Sequence, residues 1–253
     1  MNFSGITKNK TLYASLSVLI FWYMLHKALQ SPIIPNPMDV FKEFGQLLQK
    51  DLLIHLGVSL YRMFSAIGIS VIIGVPLGLL LGMNEKLDAF ISPIMYLLYP
   101  LPKIAFLPVL MILFGLGDLS KILLITSIIF FQVLLSTRDS VKSLNKELFY
   151  SIQSLGASPI QVYQHLILPG VLPQILTGLR VTIGISIAVL FFGENYATQY
   201  GIGYFIMDSW IRVDYVQMFA GILAISIMGW LLFKLIDLLE DKACKWIKFE
   251  QGK

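Results

Sequence analysis

Arg62, Lys103, Arg180 and Glu194 lie within or at the ends of long apolar runs of this 253-residue chain. A charge set in hydrocarbon is costly unless it snorkels to an interface or meets a partner. Arg62 and Arg180 stand near the ends of their runs, where snorkelling is the simpler account. Lys103 stands between Pro102 and the next apolar run, so its charge is expected to face a cavity or a neighbouring acid. A small anion would be drawn to such a charge. Glu194 follows Gly193 and precedes Gly201 and Gly203; the bland reading is an interfacial carboxylate paired with a base. Other chemistry is not legible. His26, His55 and His165 are isolated, without metal-ligand spacing. There is no G-x-x-x-x-G-K-[ST] phosphate loop and no nucleophile beside a base, so the usual route to ATP is closed to this chain.

A second informative stretch is SLGASPIQVYQHLILPGVLPQ, residues 154–174. Gly156 breaks a helical run near its start, and Gln161, Gln164 and His165 follow. Pro169 and Pro173 are expected to close the segment before the next span, because proline disfavours helix continuation. The stretch reads as two short helices with a bend, held between spans as a rigid knob for a soluble partner.

The elements that position these residues follow from composition. The chain is 57% hydrophobic and 13% charged, with mean hydropathy +0.77, about half the charge of a soluble domain. It is an all-α polytopic membrane protein. Six spans of roughly 17–25 residues can be read, at about 11–29, 59–83, 90–116, 120–137, 172–194 and 215–236. The third is irregular, with Pro93, Pro100, Pro102 and Pro108, and such breaks are tolerated only where protein or water covers the backbone. Its place is therefore in the interior.

With the N-terminus inside, eleven basic residues fall on the cytoplasmic side: Lys8, Lys10, Lys86, Arg138, Lys142, Lys146 and five lysines from Lys234 onward. Five fall outside: Lys27, Lys42, Lys50, Lys121 and Arg212. The bias predicts both termini in the cytoplasm, together with the 138–171 loop. It also explains the pI of about 9.0 better than nucleic acid does. No cleavage site follows the first run, which reads as a retained anchor. Val40, Phe41, Phe44, Leu47 and Leu48 recur at helical spacing and predict a short helix on the membrane surface. Gly74, Gly78 and Gly82 form a stripe for close helix packing beside a kink at Pro76. The four tryptophans read as interfacial anchors, and Cys244 as a spare thiol in a charged tail.

The 154–174 stretch resembles the coupling loop of permease subunits in bacterial ABC importers. Gly156, Leu166, Leu168 and Pro169 match that pattern, while Tyr150-Ser151-Ile152 stands where Glu-Ala-Ala is usual. The resemblance extends over roughly residues 55–240, through HLGVSLYRMFSAIGISVIIGVPLGLLLGM, YPLPKIAFLPVLMILFGLGDLSKI and LTGLRVTIGISIAVLFFGENYATQYGIGYFI. It narrows to the group importing nitrate, taurine, aliphatic sulfonates and bicarbonate. Tyr99 departs from it, replacing a frequent arginine.

The resemblance implies the type I importer permease fold. It implies an N-terminal anchor and external segment over 1–58, a core over 59–240 and a cytoplasmic tail over 241–253. It also implies a homodimer that meets two ATPase subunits and an external substrate-binding protein, with ATP and magnesium held on the ATPase. Residues Leu155, Gly156, Ala157, Ser158, Ile160, Leu168 and Pro169 would carry the coupling, with Leu155 and Ile160 filling an apolar groove on the ATPase. Pro102, Lys103, Glu194, Gly201 and Gly203 would lie on the path or the external gate. The solute would be a small anion, or alternatively a thiamine-precursor pyrimidine or riboflavin. An ATP-independent transporter is opposed by the long loop and the missing internal repeat, and an intramembrane enzyme by the scarcity of ionisable residues.

Overall fold

The computed structural model describes residues 3–246, and among these the regular elements are all helical. Helix α1 spans Phe3–Leu29, α2 Pro37–Leu47 and α3 Leu52–Met83. Helix α4 spans Glu85–Leu98 and is followed by a 3-10 turn at Lys103–Phe106 and by α5 at Leu107–Phe114. Helices α6 (Asp118–Lys142), α7 (Lys146–Ser154), α8 (Pro159–Val162) and α9 (Leu168–Glu194) come next. Helices α10 (Ile202–Ile211) and α11 (Tyr215–Ala243) complete the chain. The side chains of Lys8 and Lys10, and residues 247–253 of the expected tail, lie outside the described residues.

Five stretches are long and apolar enough to cross a membrane: Leu12–Leu29, α3, α6, Pro159–Glu194 and α11. A sixth is the pair formed by α4 and the 103–114 segment, bent by 77° at the break. Pro100 and Pro102 stand in that break and cannot donate backbone hydrogen bonds, so α4 ends there and the chain turns.

Pro169 and Pro173 do not close the loop as expected. The chain stays helical from Pro159 to Glu194, through a wide π-turn at Tyr163–Ile167. There the Leu168 N–H donates to the Tyr163 carbonyl, five residues back. The wider turn opens space immediately before Pro169, which sits in the first turn of α9 where its missing N–H matters least. Pro76 likewise lies inside a continuous α3.

The core is the packing of α3, α6 and α9, filled by Met63, Ile125, Ile129, Val133, Ile183 and Leu190. The glycine stripe is what lets α3 and α6 touch. A Cβ at Gly78 would lie 2.7 Å from the Leu134 carbonyl oxygen, and one at Gly74 3.2 Å from Val133. The stripe is thus a packing device within one chain.

Two surface expectations are corrected. The apolar face of α2 is turned onto protein: Val40 and Leu47 are buried with Ile202, Phe205 and Ala220 of α10 and α11. These partners offer packed apolar contacts that a lipid surface cannot match. Cys244 is not a spare thiol in an open tail; it is 2% exposed at the end of α11, within the main core. Trp22 stacks on Phe219 with ring centroids 5.4 Å apart.

Candidate functional site

The two segments singled out by sequence sit at opposite ends of α9. Its 27 residues separate them by about 40 Å at 1.5 Å per residue.

At the C-terminal end, Glu194 is fully buried. Arg62 of α3 donates from Nη1 to its Oε1 at 2.6 Å. The Ser59 hydroxyl donates to Oε1 at 2.8 Å, and the Gly203 N–H to Oε2 at 2.8 Å. Arg62 also holds Asp118, at the start of α6, with Nε at 2.9 Å and Nη2 at 2.6 Å, and reaches the Tyr200 carbonyl at 3.0 Å. One guanidinium therefore ties α3, α6 and α9 to the 195–203 loop. This replaces the snorkelling expected for Arg62, which is only 3% exposed. An unpaired Glu194 at this depth would be costlier than drawing the guanidinium inward.

The glycines follow from this packing. Gly201 has φ +135°, in the region that favours glycine, and an added Cβ would fall on the Glu194 carboxylate. A Cβ at Gly203 would lie 2.7 Å from the Phe191 carbonyl oxygen. The Gly201 N–H donates to His55 Nδ1 at 3.1 Å, and the Ile202 N–H to Ser59 at 2.8 Å.

Ser59, His55, Asp118 and Lys121 were missed by sequence reasoning. Lys121, expected in an external loop, is 1% exposed in α6. Its Nζ donates to the carbonyls of Leu116 at 2.7 Å and Gly117 at 3.3 Å. The available signal was the run Ser59-x-x-Arg62, which puts both side chains on one helix face.

Pro102 and Lys103 do not join this cluster. Lys103 Nζ donates to the Tyr99 carbonyl at 2.7 Å and lies 4.8 Å from the Phe131 ring centre. It lines a cavity of about 420 Å³ with Gln132, Thr182 and Phe192. Of the two surroundings expected for it, the cavity is the one present. Arg180 donates to Asp237 at 2.7 Å and Glu240 at 2.6 Å of α11, so pairing, not snorkelling, accounts for it too.

At the other end of α9, Asn145 caps α7 and Gly156 turns the chain with φ +78°. Ser158 then caps α8 in a reciprocal box: its N–H donates to Gln161 Oε1 at 2.8 Å, and the Gln161 N–H to Ser158 Oγ at 3.4 Å. Such a box pre-forms the helix start. Leu155 is 86% exposed and Ile160 68%, whereas Ala157 packs against the core. Leu168 and Pro169 lie where α9 departs from the π-turn.

Beneath this elbow sequence reasoning missed an ionic cluster. Asp88 of α4 is bridged by Arg138 and Lys142 of α6, with Arg138 Nη2 at 2.7 Å from Oδ2, and Ser92 donates to Oδ1 at 2.6 Å. Its signature was Asp88 and Ser92 four apart facing Arg138 and Lys142 four apart. Among the described residues no three His, Cys, Asp or Glu side chains gather to hold a metal ion.

A helical bundle with up to six apolar crossings, a buried ionic node at one end and an exposed pre-formed elbow at the other is a polytopic membrane protein. Residues 74–243 match the family described as "binding-protein-dependent transport system inner membrane component". The chain belongs to that family and is an ABC transporter permease. It is 35% identical to the taurine transport system permease protein TauC of Escherichia coli, over 92% of this chain and 88% of that protein. It is 29% identical to the putative aliphatic sulfonates transport permease protein SsuC of Bacillus subtilis, over 96% and 89%. It is 28% identical to the formylaminopyrimidine transport permease protein ThiX of Halalkalibacterium halodurans, over 92% and 94%. The fold is shared with an inward-facing structure of the MetNI methionine ABC transporter, with TM-score 0.63 at 18% identity over 79% of this chain and 97% of that one. The type I importer permease fold expected from the sequence is the fold observed.

Proposed function

We propose that this chain is the permease subunit of an ATP-driven importer, working as a homodimer with two ATPase subunits and an external binding protein. The solute is a small anion of the sulfonate, taurine or nitrate kind, passed inward by alternating access. The observation that carries this reading is the elbow at Gly156. It presents to solvent Leu155, at the end of α7, and Ile160, on a capped short helix that runs without interruption into a membrane-crossing one. Exposed apolar side chains on a rigid helical support are what a soluble partner's groove would take up. A push on that support would reach the far end of α9, because a helix transmits displacement along its axis.

The excess of basic residues on the elbow's side supports a cytoplasmic position, where ATP is available, with both chain termini on that side. ATP and magnesium would sit on the partner ATPase. In this reading Leu155, Gly156, Ala157, Ser158, Ile160, Leu168 and Pro169 couple hydrolysis to movement. Glu194, Gly201 and Gly203 hold the external end against the binding protein. The taurine and sulfonate permeases among the relatives support a solute with a sulfonate head, and at 35% against 28% identity the taurine relative outweighs the pyrimidine one.

The test is affinity purification of the tagged chain in mild detergent, with mass spectrometry of what accompanies it. An ATPase subunit is expected with the wild type and is expected to be lost with Gly156→Asp, while the variant still inserts. Recovery of the permease alone from several detergents would overturn the reading.

A further inference from the structure

Lys103 carries more donors than its surroundings use. Pro100 and Pro102 end α4, and the orphan carbonyls of Leu98 and Tyr99 take two Lys103 N–H groups, at 3.5 and 2.7 Å. An ammonium has three. Among the described residues no carboxylate pairs with Lys103 and no oxygen takes its third donor; the ammonium otherwise meets the Phe131 and Tyr99 rings, 4.8 and 5.5 Å from their centres. Across the same cavity the Tyr99 hydroxyl donates to Gln132 Oε1 at 2.9 Å. That contact occupies the amide oxygen, and the amide N–H groups have no partner among the described residues.

Apart from Thr182 and Tyr196, the rest of the surroundings are apolar. The 420 Å³ cavity shares Ile104 and Phe192 with a larger one of about 720 Å³ that runs on to Leu116 and Tyr196. The two form one trough along α9, and among the described residues Lys103 is the single charged one lining it. A lone ammonium beside a broken helix is not stable against lipid, so this wall faces water or protein.

We propose that Lys103, with the Gln132 amide, is the station that holds the acidic head of the transported solute, and that the solute is an organic anion with a short apolar tail. This rests on the reading of the chain as an anion importer and goes beyond it by naming the coordinating groups and the solute's shape. The head accepts from the free Lys103 and Gln132 donors, and the tail lies on Ile104 and Phe192. An alkanesulfonate has this form; nitrate has the head without the tail.

The test uses cells in which the chain is replaced by wild type, Lys103→Met, Lys103→Arg or Gln132→Leu. Uptake of labelled butanesulfonate, taurine and nitrate is measured above that of cells lacking the chain. Wild type is expected to import butanesulfonate best. Lys103→Met is expected to lose at least tenfold, Gln132→Leu severalfold, and Lys103→Arg to recover most of the uptake. The Lys103→Met chain should still assemble with the ATPase subunits at wild-type yield. Import by Lys103→Met at the wild-type rate would overturn the inference and leave anion import standing. Equal loss in the Arg and Met variants, with assembly lost as well, would make Lys103 a helix cap only and also overturn it. Wild-type cells importing none of these anions would overturn the reading of the solute and this inference together.

Discussion

Glu194 and Arg62 are each other's reason for being buried. A buried ion pair adds little net stability, but removing one partner strands the other, typically at about 3–5 kcal/mol. Glu194→Ala and Arg62→Met are therefore each expected to lower the thermal midpoint of the detergent-solubilised protein by several degrees. The double variant should lose clearly less than the sum, since only the half-exposed Asp118 is then left without its partner. Additive losses would contradict the pairing. Gly201→Ala adds a Cβ at φ +135° on top of the Glu194 carboxylate, and is expected to destabilise as much as loss of the ion pair. Cys244 makes a different prediction. Burial pushes its thiol pKa up, so less thiolate is present at neutral pH. Alkylation by a maleimide should be slow in the folded protein, rise with pH, and become rapid on denaturation. Fast labelling at neutral pH would place Cys244 outside the core.

At the scale of elements, the close contact of α3 and α6 depends on having no side chain at Gly78. Gly78→Leu would drive atoms into the Leu134 carbonyl and Thr137. Overpacking of this kind costs about 1–3 kcal/mol or more, so the expected result is a sharp fall in folded yield, with Gly57→Leu as a tolerated control in open space. The π-turn yields a second test. Deleting Gln164 removes the extra residue and would bring the Pro169 ring against the carbonyl four residues earlier, a clash of about 3 kcal/mol. Loss of transport is expected on deletion, with substantial recovery when Pro169→Ala is added. No recovery would mean that the π-turn serves something other than the proline.

At the scale of the whole molecule, the α5 wall is among the apolar surfaces left uncovered. Ile112 and Leu113 of α5 are 83% and 68% exposed, on the wall that also carries the chain break and Lys103. A second copy related by a two-fold axis would cover such a wall with the same residues from both sides. In a Cys244→Ser background, Ile112→Cys is expected to form an oxidant-dependent covalent dimer in membranes, while a cysteine at Lys50 should not. Monomer alone at both positions would contradict a two-fold interface along α5.

How much was legible from sequence depended on whether a signal was local. Hydropathy runs placed the six apolar crossings, and glycine spacing marked the α3 packing stripe, because both arise from one element's own periodicity. Gly156 announced the elbow, since a break in a helical run at a glycine is a local demand on the backbone. Glu194, Gly201 and Gly203 come together because only a short loop divides them, whereas Pro102 and Lys103, grouped with them from the sequence, lie apart. Partners distant in sequence were not visible. Arg62 and Arg180 looked like snorkelling ends because the acids that hold them lie on other helices, 132 and 57 residues away. The packed face of α2 and the burial of Cys244 were likewise decided by what α10, α11 and the core placed against them. Composition and period alone determined that this chain is a membrane-crossing helical bundle. Tertiary structure alone decided which charges meet, because an ion pair forms across space, and nothing in a residue's own neighbourhood in sequence specifies its partner.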